Sequence, residues 1–130
     1  MPILKFSEFT GSMTGNSVFL SAAPDGTTDL CPQLSVSYIE MKPGDETKPH
    51  THNRVESYLF LTGRAKALCG TVITEVTTGD VLVAPIGTPH GLKVIGTEPL
   101  RFYAFNSPPA STCPMVPAPE EILWKWREQG

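Results

Sequence analysis

Turn-forming residues break the chain into short β-rich runs between about residue 34 and residue 106, and this punctuation leaves few folds open to it. Residues 34–41 partly alternate polar and apolar side chains and stop at Lys42-Pro43-Gly44. Residues 56–61 are aromatic and aliphatic and end at Thr62-Gly63. Residues 64–69 alternate, Gly70 leads into residues 71–77, and the apolar run 80–84 closes at Pro85. Residues 90–95 and 100–105 complete the series, the second entered through Gly96-Thr97-Glu98-Pro99. Many short strands at this spacing predict an all-β sandwich or barrel rather than alternating strands and helices.

The flanks are less patterned. Residues 7–33 are rich in Ser, Thr, Gly and Asp, with one expected strand at 17–20. Residues 107–119 carry five prolines and are expected to run as extended coil over the surface. Pro119 followed by Glu120 and Glu121 has the form of a helix start, with acids in the first turn. Ile122, Leu123 and Trp126 fall on one face of that helix, and Trp124 and Trp126 read as anchors against the barrel or a partner subunit.

At 130 residues the chain suits one domain with a core that needs no disulfide staples. The expected layout is a single domain over 1–130, with a barrel at about 34–106, an N-terminal arm at 1–33 and a tail with a short helix at 107–130. A formal net charge of -3 offers no basic footprint for nucleic acid or an anionic membrane. Cys31, Cys69 and Cys113 are odd in number and lack C-x-x-C spacing, which fits reduced thiols. No basic leader followed by an apolar stretch opens the chain, and no window is apolar enough to span a bilayer. The expectation is a cytoplasmic protein with no membrane or nucleic-acid partner.

All three histidines fall in two glycine-bounded segments. The first runs from Gly44 through His50, His52 and Glu56 to Gly63; the second runs from Gly79 through Pro85 and Gly87 to His90. Successive side chains on a strand point to opposite faces, so His50 and His52 face one way. Glu56 keeps that parity unless a turn at residues 53–55 resets it. Tyr58 and Phe60 share the parity of Glu56 and are expected to face the same interior. Gly44, Gly63, Gly79 and Gly87 are suited to sharp corners. If His90 meets the other three, three imidazoles and a carboxylate form a mixed N/O site for one divalent ion. Such a donor set suits Fe(II), Mn(II), Ni(II), Cu(II) or Zn(II), and without thiolates it disfavours a closed structural zinc. Four protein donors leave an octahedral ion two positions for other ligands.

The first segment resembles cupin motif 1 at every fixed position, and the second resembles cupin motif 2 through its histidine. The asparagine that usually closes motif 2 is replaced by Val94. These patterned segments cover about a quarter of the chain. The resemblance implies a double-stranded β-helix (a jelly-roll barrel), one divalent transition metal in its mouth with iron(II) the first choice, and commonly a homodimer. It does not fix a reaction, because one fold hosts many functions.

The first expectation is an oxidoreductase of dioxygenase type, acting on a small organic molecule whose adjacent oxygens chelate the ion. The alternative is a non-redox lyase or isomerase, in which the ion acts as a Lewis acid and either Tyr58 or a bound hydroxide moves the proton. A third reading is ligand binding without turnover. Tyr58 serves equally as a substrate-contacting hydroxyl or as core packing. Arg54, Arg64 and Arg101 are candidates to clamp a carboxylate but read first as solvated surface cations, while Ser35, Ser37, Tyr38 and Tyr103 line the pocket in one strand register and leave it in the other.

Overall fold

A computed structural model of the chain describes residues 3–14, 17–21, 31–110 and 114–129; Cys113 lies outside them. Among the described residues two antiparallel sheets face each other and a short helix follows. The first sheet is built from β1 (Thr10–Thr14), β2 (Ser17–Ser21), β3 (Ser35–Met41), β5 (Val55–Thr62), β8 (Val81–Ala84) and β10 (Leu100–Ser107). Its order is β1-β2-β3-β10-β5-β8. The second contains β4 (Glu46–Thr51), β6 (Arg64–Cys69), β7 (Val72–Val76), β9 (His90–Ile95) and β11 (Val116–Pro117), in the order β11-β4-β9-β6-β7. The helix α1 spans Glu120–Gln129. This is the expected double-stranded β-helix with a short C-terminal helix.

Strand alternation sorts the side chains as the β period requires. From β5, Tyr58 and Phe60 point inward; from β10, Leu100, Phe102 and Ala104 do so; from β9, Leu92 and Val94. Phe60 and Phe102 face each other across the ladder, are Cα partners, and hold their ring centroids 5.6 Å apart. Beneath them β6 contributes Ala65 and Ala67. A polar end sits on this apolar floor, because Glu56 and Asn106 occupy the next inward positions of β5 and β10 and are themselves Cα partners.

Two glycines are required by close backbone approach. A Cβ on Gly63, whose φ is +86°, would stand 2.5 Å from the Pro99 carbonyl oxygen. At Gly91 a Cβ would come within 2.8 Å of the Thr47 oxygen and 3.0 Å of the Pro49 nitrogen. The latter contact falls where β4 bulges against β9, between Thr47 and His50. Gly44, Gly79 and Gly87 also take the left-handed φ anticipated for corners.

The flanks depart from expectation in three respects. Residues 10–14 form β1, which pairs with β2 and so extends the first sheet beyond β3. A polar stretch reads as loop in isolation, but backbone pairing at a sheet edge does not require an apolar face. The proline-rich tail is not coil throughout, since Val116 and Pro117 pair with Thr51 and His50 of β4. Of the two tryptophans only Trp126 anchors against the barrel: it is buried and donates from Nε1 to Glu46 Oε2 at 2.9 Å, whereas Trp124 is 60 % exposed.

Candidate metal centre

The polar end of the barrel collects its side chains from both sheets. His50 near the end of β4 and His90 at the start of β9 are Cα partners in the second sheet. Glu56 projects from β5 in the first sheet, and His52 lies just past β4 in the turn that crosses between the sheets. Donor atoms of His50, His52, Glu56 and His90 all lie within 4.8 Å of one another. His52 Nε2 and His90 Nε2 each stand 3.0 Å from Glu56 Oε1. The four residues picked from the sequence are thus brought together, although the strand ends at Thr51 and a turn, not strand parity, aims His52.

Each imidazole is oriented by the main chain. His50 Nδ1 faces the Lys48 carbonyl at 2.8 Å, His52 Nδ1 the Arg54 carbonyl at 3.1 Å, and His90 Nδ1 the Thr88 carbonyl at 2.9 Å. A carbonyl oxygen only accepts, so each Nδ1 carries a proton, and each Nε2 is the atom a metal would take in place of any proton it shares with Glu56. Donors ~2.1 Å from a common ion at right angles stand ~3.0 Å apart, the separation found between the two Nε2 atoms and Oε1. Those three donors are therefore spaced as a divalent ion requires, and His50 joins them within the 4.8 Å cluster. This cluster of three histidines and one glutamate is able to bind metal in its geometry and in its donor chemistry; it does not discriminate among the candidate ions.

The electrostatics follow from burial and from these contacts. Burial by itself raises the Glu56 carboxyl, but hydrogen bonds from His90, Asn106 and His52 more than offset it and hold it down at about 2. Burial lowers the His50 imidazole below its ordinary value, which favours the neutral, coordinating form. Tyr58 donates from its hydroxyl to Glu56 Oε1 at 3.1 Å, and burial together with the Glu56 charge pushes its phenol well above the usual value.

His50, Glu56 and Tyr58 open onto a cavity of about 810 Å³. Its walls are largely apolar, with Met41, Leu92 and Phe102 from the barrel. Met115 and Val116 from the tail and Leu123 from α1 complete them, so the C-terminal segment helps to build the cavity.

Other sequence readings are corrected by the same register. Arg54, expected on the surface, is 5 % exposed and donates from Nε to Asn106 Oδ1 at 2.6 Å. Arg64 and Arg101 are the more solvated cations expected and pair with Glu75 and Glu40. Ser37 does line the cavity. Tyr38 and Tyr103 instead pack on the opposite face of the first sheet, with Phe6 against Tyr38 and Phe9 against Tyr103. Ser35 Oγ accepts from the Ala110 amide. Asn106 is the residue that sequence reasoning missed: its Nδ2 donates to Glu56 Oε2 at 2.8 Å. The signal that finds it is the β5–β10 register, which sets it opposite Glu56. Val94 packs its side chain in the core, while its backbone pairs with Gly44 and Asp45.

A family model described as Cupin domain matches residues 37–106, more than half of the chain, and the chain belongs to the cupin family. It is 34% identical over 84 residues to dimethylsulfoniopropionate lyase DddW of Ruegeria pomeroyi, a stretch covering 64% of this chain. The same stretch is 55% of that lyase, so the chain spans about half the length of the relative it matches. Among solved structures it is similar to a cupin-2 domain from Rhodospirillum rubrum, with TM-score 0.73 and 16% identity, covering 98% of this chain and 87% of that one. A double-stranded β-helix protein from Klebsiella pneumoniae gives TM-score 0.71 and 21% identity, with 89% and 90% covered. Salicylate 1,2-dioxygenase from Pseudoaminobacter salicylatoxidans gives 0.70 and 16%, covering 82% of this chain and 30% of that one. These structural likenesses establish the fold alone. No helix among the described residues is long and apolar enough to cross a membrane.

Proposed function

We propose that the chain is a metal-dependent lyase acting on a small carboxylate with a leaving group on the carbon β to it. His50, His52, Glu56 and His90 would hold the ion. The observation that carries this reading is Tyr58, whose hydroxyl lies 3.1 Å from Glu56 Oε1 and lines the same cavity as His50. Similarity to a dimethylsulfoniopropionate lyase supports elimination as the reaction class. It moves this class ahead of the dioxygenase reading that the donor set alone placed first.

A bound divalent ion supplies a Lewis acid for a carboxylate oxygen, which acidifies the adjacent C–H. In elimination that C–H bond breaks and its electron pair forms the C=C bond. The β substituent leaves with the electrons of its own bond, as dimethyl sulfide would from a sulfonium. Tyr58 is the group assigned to move the proton, at Oη. Burial first and the Glu56 charge second hold its phenol raised; a cation that neutralised that charge would remove the second cause and leave the first. Met41, Leu92 and Phe102 limit water around the reacting carbons.

The test is product formation from dimethylsulfoniopropionate and other 3-substituted propionates by protein loaded with iron(II), manganese(II) or zinc(II). Alkene product under argon with zinc(II) is the expected result; no product from any member with any metal overturns the lyase. The dioxygenase reading keeps one observation in its favour, the four-donor set that leaves two octahedral positions. Dioxygen uptake with enols and diketones, strictly dependent on iron, would favour it over elimination.

A cytoplasmic homodimer completes the reading. Cys31 and Cys69 are free thiols, and Val81 and Val83 on the edge strand β8 are more than half exposed, as an apolar contact face requires. Sedimentation of the purified chain as a monomer would remove the dimer.

A further inference from the structure

We infer that Arg54 and Asn106 act as an orienting pair that makes Glu56 a one-oxygen metal ligand. The inference rests on the metal-centre part of the proposed function and not on the reaction. Arg54 donates from Nε to Asn106 Oδ1 at 2.6 Å, and Asn106 donates from Nδ2 to Glu56 Oε2 at 2.8 Å. All three side chains are buried, with residue exposures of 5 %, 3 % and 7 %.

The direction of the chain is set by its first member. A guanidinium has only donors, so the asparagine must turn its oxygen toward Arg54. Its NH2 then has to face Glu56. An amide without that arginine is free to flip and to present its oxygen to a carboxylate oxygen, which is repulsive. With the arginine in place Glu56 Oε2 is committed to Asn106, while Oε1 faces His52 and His90. Rotation of Glu56 to offer both oxygens to one ion would break a buried hydrogen bond to Oε2. Burial makes that break costly, because no water replaces the lost donor. The pair therefore fixes how many positions of the ion the protein fills, and hence how many remain for a substrate.

The position of the pair agrees with this role. Asn106 and Glu56 are Cα partners across the β5–β10 ladder. Arg54 lies in the turn that carries His52, and its carbonyl accepts from His52 Nδ1. One residue thus steers two metal ligands, His52 through its backbone and Glu56 through Asn106.

The experiment is a cobalt(II) titration of the full chain, followed by visible absorption, with Asn106→Leu, Arg54→Met and Arg54→Lys. Lysine keeps a donor toward Asn106 Oδ1 and methionine removes it at similar length. The expected result is a roughly 10–100-fold loss of cobalt affinity with a changed d–d spectrum in Asn106→Leu and Arg54→Met. Arg54→Lys should stay close to the parent in both. If Asn106→Leu does not fold, the lysine–methionine comparison decides alone. A parental affinity and spectrum in Arg54→Met, or an Arg54→Lys as impaired as Arg54→Met, overturns the inference while the metal centre stands. A parent that takes up no cobalt overturns both.

Discussion

His50 and His90 stand opposite one another across the β4–β9 ladder, with ring centroids 4.4 Å apart. Forty residues of chain separate them, and a single strand pairing sets their meeting. A slip of one residue in that register would turn one ring out of the barrel. The bulge beside Gly91 is what locks the register, because β4 backbone fills the space a side chain would need.

Gly91→Ala is therefore expected to strain the ladder beside both histidines. Thr47 and Pro49 present backbone atoms, which yield less readily than side-chain ends. The expected destabilisation is about 1–3 kcal/mol, accompanied by weaker metal binding. Thermal unfolding and a metal titration measure the two effects. An alanine variant with parental stability would show that the close approach is not maintained in solution.

Stability of the metal-free protein is predicted to fall in acid, in two stages. His50 has a folded pKa lowered below 6.5, so its contribution is present above 6.5 and is lost as pH falls through that value toward the folded one. Glu56 is lowered from 4.5 to about 2, so its contribution is full above 4.5 and disappears between 4.5 and about 2. That second stage is on the order of 3 kcal/mol. Chemical denaturation of chelator-treated parent and Glu56→Gln across this range is the check. The gap between them should close as pH drops through the second window, and a constant gap would contradict the assignment. Metal retention should also decline in acid as the imidazoles take up protons, and undiminished retention at about pH 4.5 would argue against histidine ligands.

Tyr58→Phe separates chemistry from packing. The ring still packs against Phe102, whose centroid is 5.0 Å away, so metal content should be nearly unchanged, while loss of the buried hydrogen bond to Glu56 should cost about 1–3 kcal/mol of stability. Turnover should drop by roughly 10²–10⁴-fold if Oη moves the proton. Equal turnover in the two proteins would leave Tyr58 a core residue.

The tryptophans of α1 should differ sharply. Trp126 is buried against β4 and bonded to Glu46, so Trp126→Ala should cost about 3–5 kcal/mol. The same helix supplies Leu123 to the cavity wall, so KM for the proposed elimination should rise as well. Trp124→Ala should stay within about 0.5 kcal/mol of the parent. Matching losses of thermal stability in both variants would mean that Trp124 also has a partner surface.

The sequence was most readable where physical spacing is rigid. His50, His52, Glu56 and His90 could be assigned because their spacing between the corner glycines matches the two motifs, whereas strand period alone does not carry across the turn between β4 and β5. Most strands between 35 and 107 were legible from their turn punctuation, but β4 had no bounds of its own in the sequence and ends before His52. Arg54 and Asn106 were not, since the contact that defines them spans 52 positions and an isolated arginine reads as a solvated cation. Tyr38 and Tyr103 depended on a register that local sequence leaves open, and pairing of β3 with β10 put them on the outer face. β1 escaped notice because its pairing with β2, not its own composition, makes it a strand.

The most direct measurement is elemental analysis of the parent and of His52→Ala, both purified without chelator. Near-stoichiometric divalent metal in the parent and strong loss in the variant is the predicted result. Equal metal content in the two proteins, or none in the parent, would contradict the centre on which the account stands.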